Sequence, residues 1–223
     1  MLGGAAMLHA QAGKVQPGKA RVLLYKDRMA AQFDTVDVVK NVIKANPLLF
    51  FRGEIPLYYE RAISPNVSLE VGLGVTLRNY IALSFVGDDA DDFGAGTEII
   101  ANPSYHLAAR FYFVHDLEPQ GFYLQPGYSH LVYTKDIGVK DTTGRFTGSK
   151  LRDERTFNDL RLMLGYQSLS TRSNWLFDVY GGVALRDRSM TVVVVSDKYT
   201  YNVEERKDRV PAFFLGIRVG VGW

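Results

Sequence analysis

A strict two-residue alternation, with charge and glycine on one face and bulky apolar side chains on the other, constrains this chain more than any other feature. Over residues 67–78, Val67, Leu69, Val71, Leu73, Val75 and Leu77 fall on one face, and Ser68, Glu70, Gly72, Gly74, Thr76 and Arg78 fall on the other. A strand separates these two sets, whereas a helix would scatter them around its surface. The C-terminus repeats the pattern, with Phe213, Leu215, Ile217, Val219, Val221 and Trp223 opposing Phe214, Gly216, Arg218, Gly220 and Gly222. Residues 159–167 and 177–186 do the same: Asp159, Arg161, Asp178 and Arg186 alternate with Leu160, Leu162, Phe177 and Val179.

The charged face decides what kind of sheet this is. Turned inward together, Glu60, Glu70, Arg78, His106, Arg110, Asp159, Arg161, Asp178, Arg186 and Arg218 form a polar network carrying both signs of charge. A soluble sandwich or a lipocalin-like barrel would put the apolar face inside. An Arg facing lipid near the midplane costs about 2–4 kcal/mol, so the apolar face belongs outside and the charged face in the lumen. The mean hydropathy of −0.07 fits this, because lipid-facing and lumen-facing residues average out along each strand. No apolar run approaches the roughly 20 residues that a membrane helix needs. The expected fold is therefore all-β: a closed antiparallel up-and-down transmembrane β-barrel of about eight strands with a filled polar lumen.

Turn chemistry orders those strands. Ser64-Pro65-Asn66, Leu117-Glu118-Pro119-Gln120-Gly121 and Thr171-Arg172-Ser173-Asn174 read as short connections. Between them lie longer polar segments near 81–98, 135–155 and 195–209. Short periplasmic turns and long extracellular loops are the asymmetry of outer-membrane barrels. With breaks at Asn46-Pro47 and Arg52-Gly53, the strands fall at about 38–50, 53–62, 67–80, 99–115, 121–134, 156–169, 175–194 and 210–223, both termini being periplasmic. Tyr59, Phe113, Phe122, Trp175 and Trp223 then sit beside the short turns or the C-terminus as an aromatic girdle, where amphipathic rings favour the headgroup level. Phe50, Phe51, Tyr80 and Tyr105 sit near the other rim.

Ahead of residue 38 the pattern is absent. The apolar stretch at residues 2–8, followed by Ala10-Gln11-Ala12, reads as a residual signal peptide over 1–12 without its basic start. Residues 13–37 read as a periplasmic extension, with a short helix around 26–33. Cysteine is absent, which removes disulfides, thiolate metal sites and a lipidated N-terminal Cys. The formal net charge of +2, with no basic run, gives no footprint for nucleic acid.

Lys40-Asn41-Val42-Ile43-Lys44-Ala45-Asn46-Pro47, Tyr58-Tyr59-Glu60-Arg61 and Ser68-Leu69-Glu70-Val71-Gly72 resemble the opening hairpins of small outer-membrane β-barrel proteins of Bacteroidota-type bacteria, OmpA- and OmpW-like in architecture. Ala109-Arg110-Phe111-Tyr112-Phe113, a turn, and Gly121-Phe122-Tyr123-Leu124 look like their middle hairpin. The resemblance covers most of 38–223. It implies an outer-membrane location, lipid and lipopolysaccharide contact, and recognition of the Trp223 strand by barrel-assembly machinery. It carries over no catalytic or ligand residue and no cofactor.

Chemistry is sparse. Ser129 and His130 are adjacent and so point to opposite faces of a strand. Ser104 and His106 share a face and could serve a lipid-modifying hydrolase if an acid lay within reach. Asp88, Asp89, Asp91 and Asp92, before Gly94, offer carboxylates to calcium, but not at the spacing of a calcium-binding loop. The expected function is a non-enzymatic outer-membrane protein with a structural or accessory, partner-binding role. The alternatives are a narrow channel for small or hydrophobic solutes and the lipid-modifying enzyme.

Overall fold

Backbone pairing follows directly from the alternation. In a computed structural model, which describes residues 28, 31–33, 38–78, 96–170, 172–197 and 200–223, the chain forms nine strands in one antiparallel sheet. These are β1 (Asn41–Ala45), β2 (Glu54–Ser64), β3 (Val67–Thr76), β4 (Thr97–Ile100), β5 (Asn102–Tyr112), β6 (Gly121–Lys140), β7 (Phe146–Leu169), β8 (Trp175–Asp197) and β9 (Thr200–Gly222). β4 and β5 lie end to end along one edge of β6, with a one-residue register slip between them at Ala101. Nine strands thus occupy eight places, and pairing of β1 with β9 makes the circuit a ring.

The register fixes the geometry of that ring. From Trp175, successive partners are Val221, Ile43, Tyr59, Val71, Leu107, Tyr128 and Leu160, and the path returns to β8 at Leu185, ten residues further on. For eight places, such a stagger tilts the strands by about 40° to the ring axis. It also brings the ends bearing Phe113, Phe122, Trp175 and Trp223 to nearly one level.

One face is buried and polar, the other exposed and apolar. On β2, Glu54, Tyr58, Glu60 and Ala62 are buried while Ile55, Leu57, Tyr59 and Ile63 are exposed. On β3, Ser68 and Glu70 are buried while Leu69, Val71, Leu73 and Val75 are exposed. On β8 the outward apolar positions run from Trp175 to Leu185 and then give way to Asp187. At the stagger above, that stretch rises about 25 Å. Among the described residues no helix is long and apolar enough to cross a membrane.

Three departures from the sequence reading have physical causes. β1 stops at Ala45 rather than running to residue 50. Asn46 caps a one-turn helix, Pro47–Phe50, by accepting from the Leu48 amide at 3.1 Å, and Pro47 lacks the N–H a ladder needs. Segments 135–155 and 195–209, expected as long loops, are largely strand. β6 and β7 continue to a tight turn where Asp141 accepts from the amides of Thr143 and Arg145 at 2.8 and 2.9 Å and Gly144 takes φ +81. β8 and β9 likewise continue to Asp197 and Thr200. Polar composition suggested loops, but cross-strand ion pairs such as Arg209–Asp187 and Arg188–Asp208 serve equally well on solvated strands. Residues 28 and 31–33 are helical, as expected for 26–33. The presumed signal segment, Tyr80 and the acidic loop lie outside the described residues.

Three inward tyrosine rings lie over a glycine of the neighbouring strand: Tyr58 over Gly72, Tyr123 over Gly165 and Tyr180 over Gly216. A Cβ on Gly216 would stand 2.3 Å from the Tyr180 ring. That ring cannot swing aside freely, because its hydroxyl accepts from Asn46 Nδ2 at 2.7 Å. Gly216→Ala is expected to cost about 2 kcal/mol through overpacking, read as a lower urea midpoint of the folded protein. An unchanged midpoint would show that the ring does not rest on the glycine.

Candidate functional site

Side chains fill the ring in layers. Nearest the short turns, Val39, Val42, Leu169 and Leu176 form a small apolar seal. Above it Lys44, Arg110 and Arg218 meet Glu60, Glu70 and Asp178, all with side chains 0–2% exposed. Three cations face three carboxylates, so the buried cluster is formally neutral. Lys44 Nζ lies 2.5 Å from Glu60 and 2.6 Å from Glu70. Arg110 donates to Glu70 and Asp178 at 2.8 Å each, and Arg218 reaches Glu70 at 3.2 Å and Asp178 at 3.5 Å.

Neutral groups complete the cluster. Tyr112 donates to Glu60 at 2.8 Å, Tyr123 to Asp178 at 2.6 Å and Gln125 to Glu70 at 2.9 Å; Ser68 also donates to Glu60. Gln167 accepts from Arg110 at 2.5 Å and donates to the Pro119 carbonyl at 2.5 Å, tying the cluster to a turn. The guanidiniums stack as well as pair. Arg218 lies 4.4 Å from the Tyr58 ring centroid and 4.3 Å from that of Tyr180, and Arg110 lies 4.3 Å from that of Tyr123. These are the tyrosines seated over glycine, so glycine on the neighbouring strand lets the ring lie flat beneath a guanidinium.

The next layer holds Asp159 between Arg161 at 2.9 Å and Arg186 at 2.7 Å, with both guanidiniums near the Phe214 ring. Beside it His106 Nε2 lies 2.6 Å from Glu54. Towards the hairpins, Ile137, Val193 and Val195 form a third cluster with Leu151 and Tyr201 packed against it. There the Val193 amide donates to Asp153 at 3.4 Å.

Of the ten residues expected in the polar network, Glu60, Glu70, Arg110, Asp178 and Arg218 meet in the neutral cluster. Asp159, Arg161 and Arg186 form the second group, and His106 is buried beside Glu54. Arg78 stands beyond the end of β3, half-buried, with its backbone over Gly53. The sequence reading omitted Lys44, Glu54, Gln125 and Gln167. Lys44 left no clear signal: the ten residues expected inside already carry five arginines against four carboxylates, and only their separation into two layers leaves one layer a cation short.

Ser104 and His106 share the interior, but the Ser104 hydroxyl is buried without a hydrogen-bond partner and the imidazole engages Glu54 instead. Ser129 points inward to Asp159 at 3.4 Å, whereas His130 lies on the other face, bonded to Asn158 and stacked on Tyr105. Among the described residues no group of three His, Cys, Asp or Glu side chains is placed to hold a metal ion. The girdle residues Tyr59, Phe113, Phe122, Trp175 and Trp223 are all exposed. Tyr59 reaches down to donate to Asn41 at 2.7 Å, beside the Trp223 ring. Comparison with known proteins finds no match: no family model, no curated protein and no solved structure corresponds to this chain.

Lys44→Met would leave Glu60 and Glu70 short of a counter-charge in a dry interior. Unfolding in urea is expected to show a loss of about 3–5 kcal/mol, most of it regained when Glu60→Gln is added. A double variant no better than the single one would contradict the charge-balance account.

Proposed function

We propose that this chain is a small β-barrel spanning a bacterial outer membrane, with a structural or accessory role and no catalysis. The observation that carries the reading is the inverted partition of side chains. Arg110, Arg218, Lys44 and three carboxylates are sealed inside, while Leu73, Leu160, Leu164, Phe213 and Leu215 stand exposed outside. Soluble domains scatter exposed apolar residues singly, whereas here they form a continuous belt about 25 Å tall. An aromatic rim at the short-turn end supports placing that end at the periplasmic headgroups.

The layered interior favours a solid wall over a conducting pore, since eight places leave room for side chains and little else. Within this reading the β6–β7 and β8–β9 hairpins stand outside the cell and offer the surface for a partner. At the base of the β8–β9 hairpin, a groove of about 470 Å³ lined by Asn158, Asp187, Arg188, Ser189, Lys207, Asp208 and Arg209 carries one cation in excess. It lies at the level where lipopolysaccharide phosphates would meet the wall. The Trp223 strand would serve barrel-assembly machinery, and the chain would stand among the small outer-membrane barrels that its hairpins resemble.

Leu164 lies mid-belt and faces outward. Leu164→Arg is expected to cost about 2–4 kcal/mol in vesicles, with a matching loss of the heat-dependent shift of the folded band on gels. On a soluble protein the same exposed substitution would change stability by within about 0.5 kcal/mol. A Leu164→Arg variant as stable as the parent, or a parent soluble without detergent, would overturn the reading.

A further inference from the structure

The interior opens on the side away from the short turns. Side-chain exposure rises from 2% at Arg218 to 6% at Arg161, 18% at Arg186 and 31% at Arg188. Solvent therefore reaches the layer of Asp159, and the neutral cluster closes the way below it.

That layer, unlike the cluster, is not neutral. Arg161 and Arg186 share Asp159, while Glu54 engages the His106 imidazole. Arg52, half-buried in the turn ahead of β2, adds a third guanidinium in the field of Glu54 and Asp159. Among the described residues it pairs with no carboxylate. Three guanidiniums against two carboxylates leave a positive charge in excess.

Uncommitted hydrogen-bonding groups stand around the same space. Glu54 Oε2 and the Ser104 hydroxyl are buried without partners. So is the Tyr133 hydroxyl, which is close to Arg52 but outside hydrogen-bond geometry. Tyr133 stands edge-on to Phe157 at 6.0 Å between centroids, and the Arg186 guanidinium lies 5.0 Å from that ring. In the neutral cluster the partnerless Nε atoms belong to guanidiniums whose charge is already matched. Here the uncommitted atoms and the unmatched charge coincide. The occupant that satisfies them is an anion that accepts from Arg52 and Tyr133 and still has a hydrogen for Glu54 Oε2. Water lacks the charge, and sulfate or a carboxylate lacks the hydrogen. Inorganic phosphate near neutral pH has both.

We propose that the upper interior is a blind binding site for inorganic phosphate, held by Arg52 and Tyr133 with Glu54 Oε2 accepting its P–OH. Arg186, with charge to spare beside Asp159, adds to the attraction. The neutral cluster forms the floor, so the ion is held and not conducted. The site belongs to the inside of the ring and does not depend on what meets the outer face.

The parent protein in zwitterionic micelles, at neutral pH and physiological salt, is titrated with inorganic phosphate by calorimetry, with sulfate as the control. Saturable uptake of one phosphate per chain, about tenfold tighter than sulfate, is expected, since one charge-assisted hydrogen bond is worth that factor. Arg52→Gln should weaken phosphate by about the same factor. Glu54→Gln should erase the preference by admitting sulfate, and Lys207→Gln, outside the interior, should leave both anions unchanged. No saturable uptake, sulfate bound as tightly as phosphate, or a preference that Glu54→Gln retains overturns the site and leaves water as the occupant. Displacement of phosphate by phosphatidic acid mixed into the micelles would make the ligand a lipid headgroup and overturn the free ion.

Discussion

Six charges buried in a space with no room for bulk water set the terms for everything around them. Each ion alone would cost several kcal/mol to desolvate, and the cost is offset because three cations and three carboxylates interleave with every carboxylate oxygen in reach of a donor. That demands charged side chains converging from β1, β2, β3, β5, β8 and β9 at one level, which only a closed, staggered sheet supplies. It also demands thickness: guanidiniums stack on Tyr58, Tyr123 and Tyr180, and the rings fit because Gly72, Gly165 and Gly216 face them. Apolar residues are then displaced to the outside by default. The outer belt and the inner network are two consequences of one alternation.

Much of this was legible in the sequence because a period of two admits one interpretation wherever charge and bulk alternate. β3, β7 and β9 were readable in that way down to which side chain points inward. The turns at Ser64-Pro65-Asn66 and Thr171-Arg172-Ser173-Asn174 were readable because proline, asparagine and serine favour tight connections. Less legible were the strand extensions beyond the belt. Residues 146–155 and 200–209 are polar on both faces, as strands in water can be, and alternation vanishes there although pairing continues. Lys44 is not legible because the inner charges visible in the sequence, five arginines against four carboxylates, show no shortage of cations until the fold separates them into layers.

The break after Ala45 shows what the ring gives up. Asn46 caps a helical turn and holds the Tyr180 hydroxyl, so the residue that ends β1 also braces the ring on which Arg218 stacks. Wall continuity and interior packing make competing claims on that position. The weaker seam lies beside the most exposed apolar side chains of the outer face, Phe213 and Leu215 of β9.

The account stands on the outward face meeting lipid with the short-turn end at a headgroup level. Both tryptophans of the chain, Trp175 and Trp223, lie at that rim, which makes them reporters of depth. The most direct measurement is tryptophan fluorescence in vesicles whose lipids carry bromine at graded chain positions. Bromine near the headgroup end should quench strongly, with quenching falling towards the chain terminus. Emission indifferent to bromine at every depth would contradict the account.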